Sequence, residues 1–172
     1  MLKRVLAFVA LFAFVTSGAM AQSAAVPAVQ AKSGNFTVLA LMTSDPNWEA
    51  SWEASKSPAP RLRTTSRVKL GQTAAVAIFF TGAKVDQHGR ANLVCEITIK
   101  MPNRKTQKMP PAACSTLPVN PAPGSFNLVD VISGVKVEKG DPSGLWVFET
   151  KVSDRAARRS VMVRVSVEVD AS

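Results

Sequence analysis

The chain of 172 residues is basic, with 21 lysines and arginines against 12 aspartates and glutamates, and it contains one histidine, two cysteines and no tyrosine. A single histidine excludes metal sites built from several histidines and leaves one candidate for histidine-based catalysis. The nine glycines are scattered, which excludes a glycine-rich phosphate-binding loop.

The N-terminus has the pattern of a Sec-type signal peptide. A positive MLKR start precedes the apolar run VLAFVALFAFV, and Ala19-Met20-Ala21 is a small-x-small cleavage site. The apolar run is shorter than the ~20 residues of a membrane span. We therefore expect cleavage of residues 1–21 after Ala21 and a periplasmic or secreted mature protein without a transmembrane segment. Gln22 follows the cut where a lipidated protein would have cysteine.

The segment after the signal peptide leads into the folded part of the chain. Residues 22–34 are small, polar and aperiodic, which predicts a flexible lead-in. The domain is then expected to span residues 35–170. Its first apolar run, NFTVLALMT, is short enough for a strand buried on both faces.

The stretch SDPNWEASWE predicts one short helix. Asp45 can cap it, Pro46 suits the first helical position, and Trp48 and Trp52 fall one turn apart on one face. About two helical turns are marginal alone in water, so the helix persists only if its rings are buried. We therefore favour a helical plug over an edge of the core, with an exposed aromatic binding platform as the alternative.

Extended segments follow at residues 68–70, 73–82, 91–101, 126–138, 145–154 and 160–170, separated by turn residues. Apolar residues alternate with polar ones in ANLVCEITIKM and again in SVMVRVSVEVD, the pattern of half-buried strands. No amphipathic helix of normal length interrupts them. The sequence therefore predicts an all-β fold, a single immunoglobulin-like antiparallel β-sandwich of about seven strands with one short helix near the N-terminus.

The two cysteines, Cys95 and Cys114, predict a disulfide, because an isolated pair in an exported protein most simply forms one bond. A redox couple or a pair of metal ligands is the alternative, but the spacing is far from C-x-x-C and metal sites usually add histidine. The bond would close a basic, proline-rich excursion over residues 101–113.

The stretch GDPSGLWVFETKVSD resembles the closing hairpin of many secreted immunoglobulin-like modules. The shared pattern is Gly144, Trp146, Val152 and Asp154, followed by the valine-rich strand. With SDPNWEASWEA and IFFTG, the layout from about residue 36 to 169 is also similar to that of small exported proteobacterial proteins of unassigned function. This resemblance implies a fold and a compartment, and it carries over no catalytic residue.

The sequence offers few candidates for catalysis or metal binding. His88 has only Asp86 as a neighbouring partner, in a turn more typical of a solvated loop than of a catalytic site. Met101 and Met109 could hold Cu(I) loosely, but a full copper set would need two histidines. The carboxylates show no spacing typical of a paired acid and base. We expect no catalytic residue, no metal and no cofactor.

Three clusters of basic residues lie on predicted loops, where the binding residues of rigid sandwiches collect. They are Arg155, Arg158 and Arg159 in the last hairpin, Lys100, Arg104, Lys105 and Lys108 in the excursion, and Arg61, Arg63, Arg67 and Lys69 in the connector. The clusters could merge into one patch or form an ordinary solvated surface. The sequence does not decide between these alternatives.

Loss of the two signal-peptide cations lowers the formal charge from +9 to about +7. We therefore expect a non-catalytic exported binding or assembly module that presents basic loops, and in the alternative Trp48 and Trp52, to an acidic protein or an anionic envelope component. An inhibitor or immunity-type protein is the sharper version. The alternatives are a structural subunit of an envelope or secretion machine and a carboxylate-based hydrolase. Nucleic acid is not expected as a partner, and the oligomeric state stays open.

Overall fold

The computed structural model describes residues 25–55, 57–115 and 117–172. The predicted signal peptide and residues 22–24 lie outside the described residues. The elements in chain order are β1 (Ala28–Ser33), β2 (Phe36–Thr43), α1 (Trp48–Ala54), β3 (Arg67–Lys69), β4 (Thr73–Thr81), β5 (Leu93–Lys100), β6 (Thr106–Lys108), β7 (Ala112–Ala113), β8 (Asn127–Leu128), β9 (Ser133–Lys136), β10 (Gly144–Asp154) and β11 (Arg159–Asp170).

Two sheets enclose the core, which confirms the prediction of an all-β sandwich with one short helix. The first sheet has the order β1-β2-β4-β8, with β9 paired to the other half of β4. The second has the order β3-β11-β10-β5-β6, with β7 also paired to β5. All pairings are antiparallel except that of β3 with β11. Alternate side chains of both sheets meet in one core that includes Phe36, Phe80, Phe148 and the five alternating valines of β11.

The described residues contain eleven strands, compared with the predicted seven. Strand β1 lies in the expected lead-in, β6 and β7 lie in the excursion, and the segment 126–138 is divided into β8 and β9. All of these are short or lie at sheet edges. Short edge strands bury little, so they lack the strong alternation that reveals a strand in the sequence.

The prediction of a flexible lead-in is wrong for residues 28–33. Strand β1 pairs with β2 along its length, from Ala28 with Leu41 to Ser33 with Phe36. Just before it, the backbone N–H of Ser166 donates to the carbonyl of Val26 at 2.8 Å, so the segment also contacts β11 of the second sheet. Small residues fit here because β1 is an edge strand whose side chains are at most half-buried.

The helix packs on the face of the first sheet that points away from the core. Its burial agrees with the plug interpretation, but it covers a sheet face and not an open end or edge of the core. The Trp48 side chain is 5% exposed and packs with Leu41, Ala77 and Phe79. Trp52 meets Phe79 edge to face, with ring centroids 4.8 Å apart. The first sheet is therefore covered on both faces, which explains why its longest strands read as continuous apolar runs.

The predicted helix cap is wrong by two residues. Helix α1 begins at Trp48 with Asn47 as N-cap, and no side-chain capping bond is formed there by the described residues. Asp45 instead accepts the backbone N–H of Asn47 at 2.9 Å. The Asp45 carboxylate is therefore bonded within a local turn that precedes the helix.

The predicted disulfide is confirmed. Cys95 and Cys114 are bonded, with their Cα atoms 5.7 Å apart, and both are buried. Residues 106–114 form one edge segment along β5, interrupted at Pro110 and Pro111, and the bond fixes its end to β5. Prolines at an edge remove donors for further strand pairing, so this edge resists association with another sheet.

Candidate functional site

The basic hairpin and the basic excursion lie at opposite ends of the second sheet. Strands β5 and β10 are paired from Lys100 with Val147 to Leu93 with Asp154. The β10–β11 turn follows Asp154, whereas the excursion follows Lys100. At about 3.4 Å per residue, the paired stretch separates the two ends by about 24 Å. We call residues 82–92 and 155–158 the hairpin end, and residues 101–105 the excursion end.

Arg159, a predicted binding residue, is used to hold the hairpin end together. Its guanidinium pairs with Asp154 at 3.2 Å, and the two side chains are 19% and 0% exposed. It also donates to the carbonyl of Gly82 at 2.5 Å and to the side chain of Asn35. The same group lies 5.2 Å from the centroid of the Phe36 ring. Arg159 therefore connects three loops and is not free to bind a partner.

Asp154 is the centre of this arrangement. It accepts the backbone N–H groups of Lys84 at 2.9 Å and Ala157 at 3.1 Å, in addition to the Arg159 guanidinium. The aspartate in the immunoglobulin-like pattern thus fixes the β4–β5 loop to the last hairpin. We call Asp154 and Arg159 the buried ion pair.

The hairpin end carries four exposed cations. Arg155 and Arg158 belong to the predicted cluster, and folding adds Lys84 and Arg90 from the β4–β5 loop. The backbone N–H of Arg155 donates to the carbonyl of Asn92 at 3.0 Å, which joins the two loops. None of the four cations forms an ion pair with a carboxylate of the described residues.

A depression of about 490 Å³ opens beside these loops and is lined by Lys84, Arg90 and Ser115, among others. Sequence analysis missed Lys84 and Arg90, although both flank the DQHG turn. Asp86 also lines the depression, but its Oδ1 accepts the backbone N–H groups of Arg90 at 3.0 Å and His88 at 2.8 Å. These hydrogen bonds hold the pKa of Asp86 below its ordinary value. The Asp86 carboxylate therefore stabilises the backbone of the turn.

His88 lies in the same turn. Its ring is exposed, and its Nε2 lies 3.2 Å from the side-chain nitrogen of Gln87. Within the described ranges, no group of three or more histidine, cysteine or acidic side chains could hold a metal ion. Met101 and Met109 are both half-buried against the core, the ordinary position of a packing methionine.

At the excursion end, Arg104 and Lys105 are exposed, and Lys108 is exposed on the adjoining strand β6. The turn closes through the backbone N–H of Met101, which donates to the carbonyl of Lys105 at 2.9 Å. Asn103 accepts the N–H of Lys105 at 3.1 Å. The excursion is thus an ordered hairpin with its cations directed to solvent.

Each basic loop places one arginine in the left-handed backbone region. Arg104 has φ 65° and Arg158 has φ 53°, and they are the two non-glycine residues of the described chain with positive φ. This conformation costs an L-residue about 1 kcal/mol, whereas glycine adopts it freely. Charge alone predicted both arginines as binding residues, and their left-handed backbone conformation is a second, independent observation that distinguishes them.

The face of the second sheet that points away from the core carries paired charges. Glu149 is joined to Lys100 at 2.8 Å and to Arg164 at 2.5 Å, and Lys151 is joined to Glu96 at 3.0 Å. Partial burial opposes ionisation of Glu149, but the hydrogen bond from Lys100 and the charge of Arg164 outweigh it and lower the pKa of that carboxyl. We call this surface the outer face.

The third predicted cluster is divided by the fold. Arg67 and Lys69 lie on β3, at the edge of the second sheet next to β11. Arg61 and Arg63 are exposed on either side of Leu62, which packs with the helix on the first sheet. The three predicted clusters therefore do not merge into one patch.

The aromatic alternative is not supported by the packing of the helix. Trp48 is buried, and only Trp52 has an exposed edge, which lines a groove of about 570 Å³ together with Leu117 and Phe126.

In the part of the chain that the structure describes, no helix has the length and apolarity needed to cross a membrane.

Comparison with known proteins gives only distant structural likeness. No family model and no curated protein matches the chain. A superoxide reductase (neelaredoxin) from Ignicoccus hospitalis aligns with a TM-score of 0.39 and 12% identity, over 64% of this chain and 79% of that chain. A form of that reductase with a single substitution aligns with a TM-score of 0.39 and 16% identity, over 72% of this chain and 89% of that chain. Likeness at this level identifies neither a family nor an activity.

Proposed function

We propose that this protein is an exported, non-catalytic binding module whose basic loops bind an anionic partner. The proposal is supported by exposed cations on loops that the fold holds rigidly. At the hairpin end the buried ion pair fixes the loops, and at the excursion end a closed turn does so. Preorganised loops lose little conformational entropy when a partner binds.

The observation that carries the proposal is the left-handed conformation of Arg104 and Arg158. Each side chain occupies a position where glycine would be more stable by about 1 kcal/mol. Non-glycine residues in this region are concentrated at sites where function offsets a conformational cost. In both loops the residue that bears this cost carries an exposed cation, as contact with an anion would require.

Export is inferred from the signal-peptide pattern, and the disulfide is in keeping with an oxidising compartment. A binding role is favoured over an enzymatic one because the carboxylates that the fold brings together already have partners. Glu149 pairs with two cations, and Asp154 is enclosed by donors. Neither is placed to act as a free acid or base.

Glycine variants test this proposal. Arg104→Gly and Arg158→Gly remove the cations and relieve the backbone at the same positions, so binding should weaken while the melting temperature stays the same or rises. The measurement is the salt concentration that elutes each variant from immobilised dextran sulfate, together with thermal unfolding by circular dichroism. Elution at lower salt is expected for both variants and more strongly for the double variant.

The matched control is Arg61→Ala with Arg63→Ala, which removes two exposed cations from the side of the molecule that carries the helix. If the control pair lowers the elution salt as much as the double glycine variant, only net charge matters and the proposed site is wrong. Glycine variants that elute like the unaltered protein would also overturn the proposal.

A further inference from the structure

The outer face connects the two basic loops. Successive positions two residues apart along β5, β10 and β11 share this face, at intervals of about 7 Å. Starting from the excursion end, the register places Lys100 first, then Arg164 with Lys108, and then Lys151. Arg155 follows two residues after Ser153 in the hairpin end, beyond the last paired residue of β10. The cations thus form a track from one end of the sheet to the other, with a gap at the row of Ser153.

Two carboxylates lie within this track. Glu149 is 13% exposed, beneath Lys100 at 49% and Arg164 at 65%. Glu96 and Lys151 are both 43% exposed and pair at 3.0 Å. Arg164 and Lys100 are therefore the most exposed of these charges and Glu149 fixes both from below, whereas Glu96 is as exposed as Lys151. An approaching anion meets the cations before it meets Glu149.

The length of the track limits the size of the ligand that can use it. A compact anion can contact one end only, because the ends are about 24 Å apart. An extended chain that reaches both ends gains from linked contacts, since the second contact is intramolecular once the first has formed. A linear ligand with repeated negative charges is the chemistry that matches repeated cations on a sheet face.

The outer face also lacks the residues that usually anchor a protein partner. Protein interfaces are centred on tryptophan, tyrosine and other large apolar side chains. Among the described strands, the aromatic residues of the second sheet, Trp146 and Phe148, point into the core, and none lies on the outer face. Met162 is the most exposed apolar residue of this face, at 54%, and it lies on β11 beside the edge.

On these grounds, and resting on the proposed function, we infer that the partner is an anionic polysaccharide that lies along the outer face from the excursion end to the hairpin end. Arg104 and Arg158 bind its charged groups at the two ends. Lys100, Arg164 and Lys151 bind the groups between them.

Heparin-derived oligosaccharides of defined length provide the test, with binding measured by isothermal titration calorimetry on the mature protein. Fragments longer than the track should bind at least about 100-fold more tightly than fragments that reach only one end. Lys151→Gln with Arg164→Gln should weaken the long fragments and leave the short ones nearly unchanged. The slope of log K against log salt should become less steep by about one for each cation removed. Arg61→Ala with Arg63→Ala is the control, and it should change neither the affinities of the fragments nor the salt slope.

The outcomes separate this inference from the proposed function. If long and short fragments bind equally and both depend on Arg104 or Arg158, the track is refuted and the loop site stands. If no fragment depends on either arginine, the proposed function fails. If poly-L-glutamate of the same charge and length, or vesicles containing phosphatidylglycerol, bind more tightly than the long oligosaccharide, the assignment to a polysaccharide is wrong.

Discussion

Replacing Asp154 by alanine should destabilise the whole domain, although the residue lies beside a surface loop. The substitution removes a fully buried carboxylate from the Arg159 guanidinium, which is itself 19% exposed. It also leaves the backbone N–H groups of Lys84 and Ala157 without their acceptor. A charge and two amide donors would then be partly buried without partners.

The expected loss follows from these contacts. Breaking a buried ion pair by removing one partner costs about 3–5 kcal/mol, because the remaining charge is uncompensated. For a domain of this size, 1 kcal/mol corresponds to a shift of about 2–4 °C, so Asp154→Ala should lower the melting temperature by roughly 6–20 °C. Asp154→Asn keeps the shape and one acceptor oxygen, and it should cost less.

The assay is urea unfolding of residues 22–172 followed by circular dichroism and Trp fluorescence. A double-mutant cycle with Arg159→Met isolates the coupling, because the pair of substitutions together removes both charges. Glu96→Gln, which breaks the half-exposed pair with Lys151, is the matched control and should cost less than about 1 kcal/mol. A loss for Asp154→Ala no larger than that of the control would refute the argument.

Three further predictions concern the remaining features. Reducing the bond between Cys95 and Cys114 should destabilise the domain by about 3 kcal/mol and preserve the β spectrum in circular dichroism, and two free thiols in protein taken from its native compartment would contradict the assignment. Glu149→Gln should cost about 1 kcal/mol or less at neutral pH. Because the pKa of Glu149 is lowered in the folded protein, its carboxylate stabilises the fold at pH values above the ordinary carboxyl pKa, and this contribution is lost as the pH falls through the folded-state pKa. The difference in stability between Glu149→Gln and the unaltered protein should therefore vanish at acid pH. Trp48→Ala should cost about 3 kcal/mol and more than Trp52→Ala in urea unfolding, and the reverse order would show that the helix is not held by its buried ring.

Much of the fold is determined locally in the sequence. The alternation of apolar and polar residues in β5 and β11 identifies two strands with one buried face, because side chains of a strand point to opposite sides in turn. The pair Trp48 and Trp52 identifies a helix that must be covered, since a helix this short is not stable alone. The cysteine pair identifies the disulfide.

The sequence could not reveal the edge strand β1, because a strand with little burial has no alternation to show. It also could not distinguish the arginines of the last hairpin, which are the same residue type within five positions. The antiparallel register places Arg159 opposite Asp154, so that one arginine becomes a buried structural partner and Arg158 remains exposed.

The position of the basic loops was likewise decided only by tertiary structure. Pairing of β10 with β5 sends the hairpin and the excursion to opposite ends, while the crossing of β4 to β5 brings Lys84 and Arg90 beside Arg155. Sequence distance carries no information about either relation, because strand pairing joins residues many positions apart. The residue types that can bind an anion were therefore determined by the sequence alone, and their arrangement as two ends joined by a charged face was determined by how the strands pair.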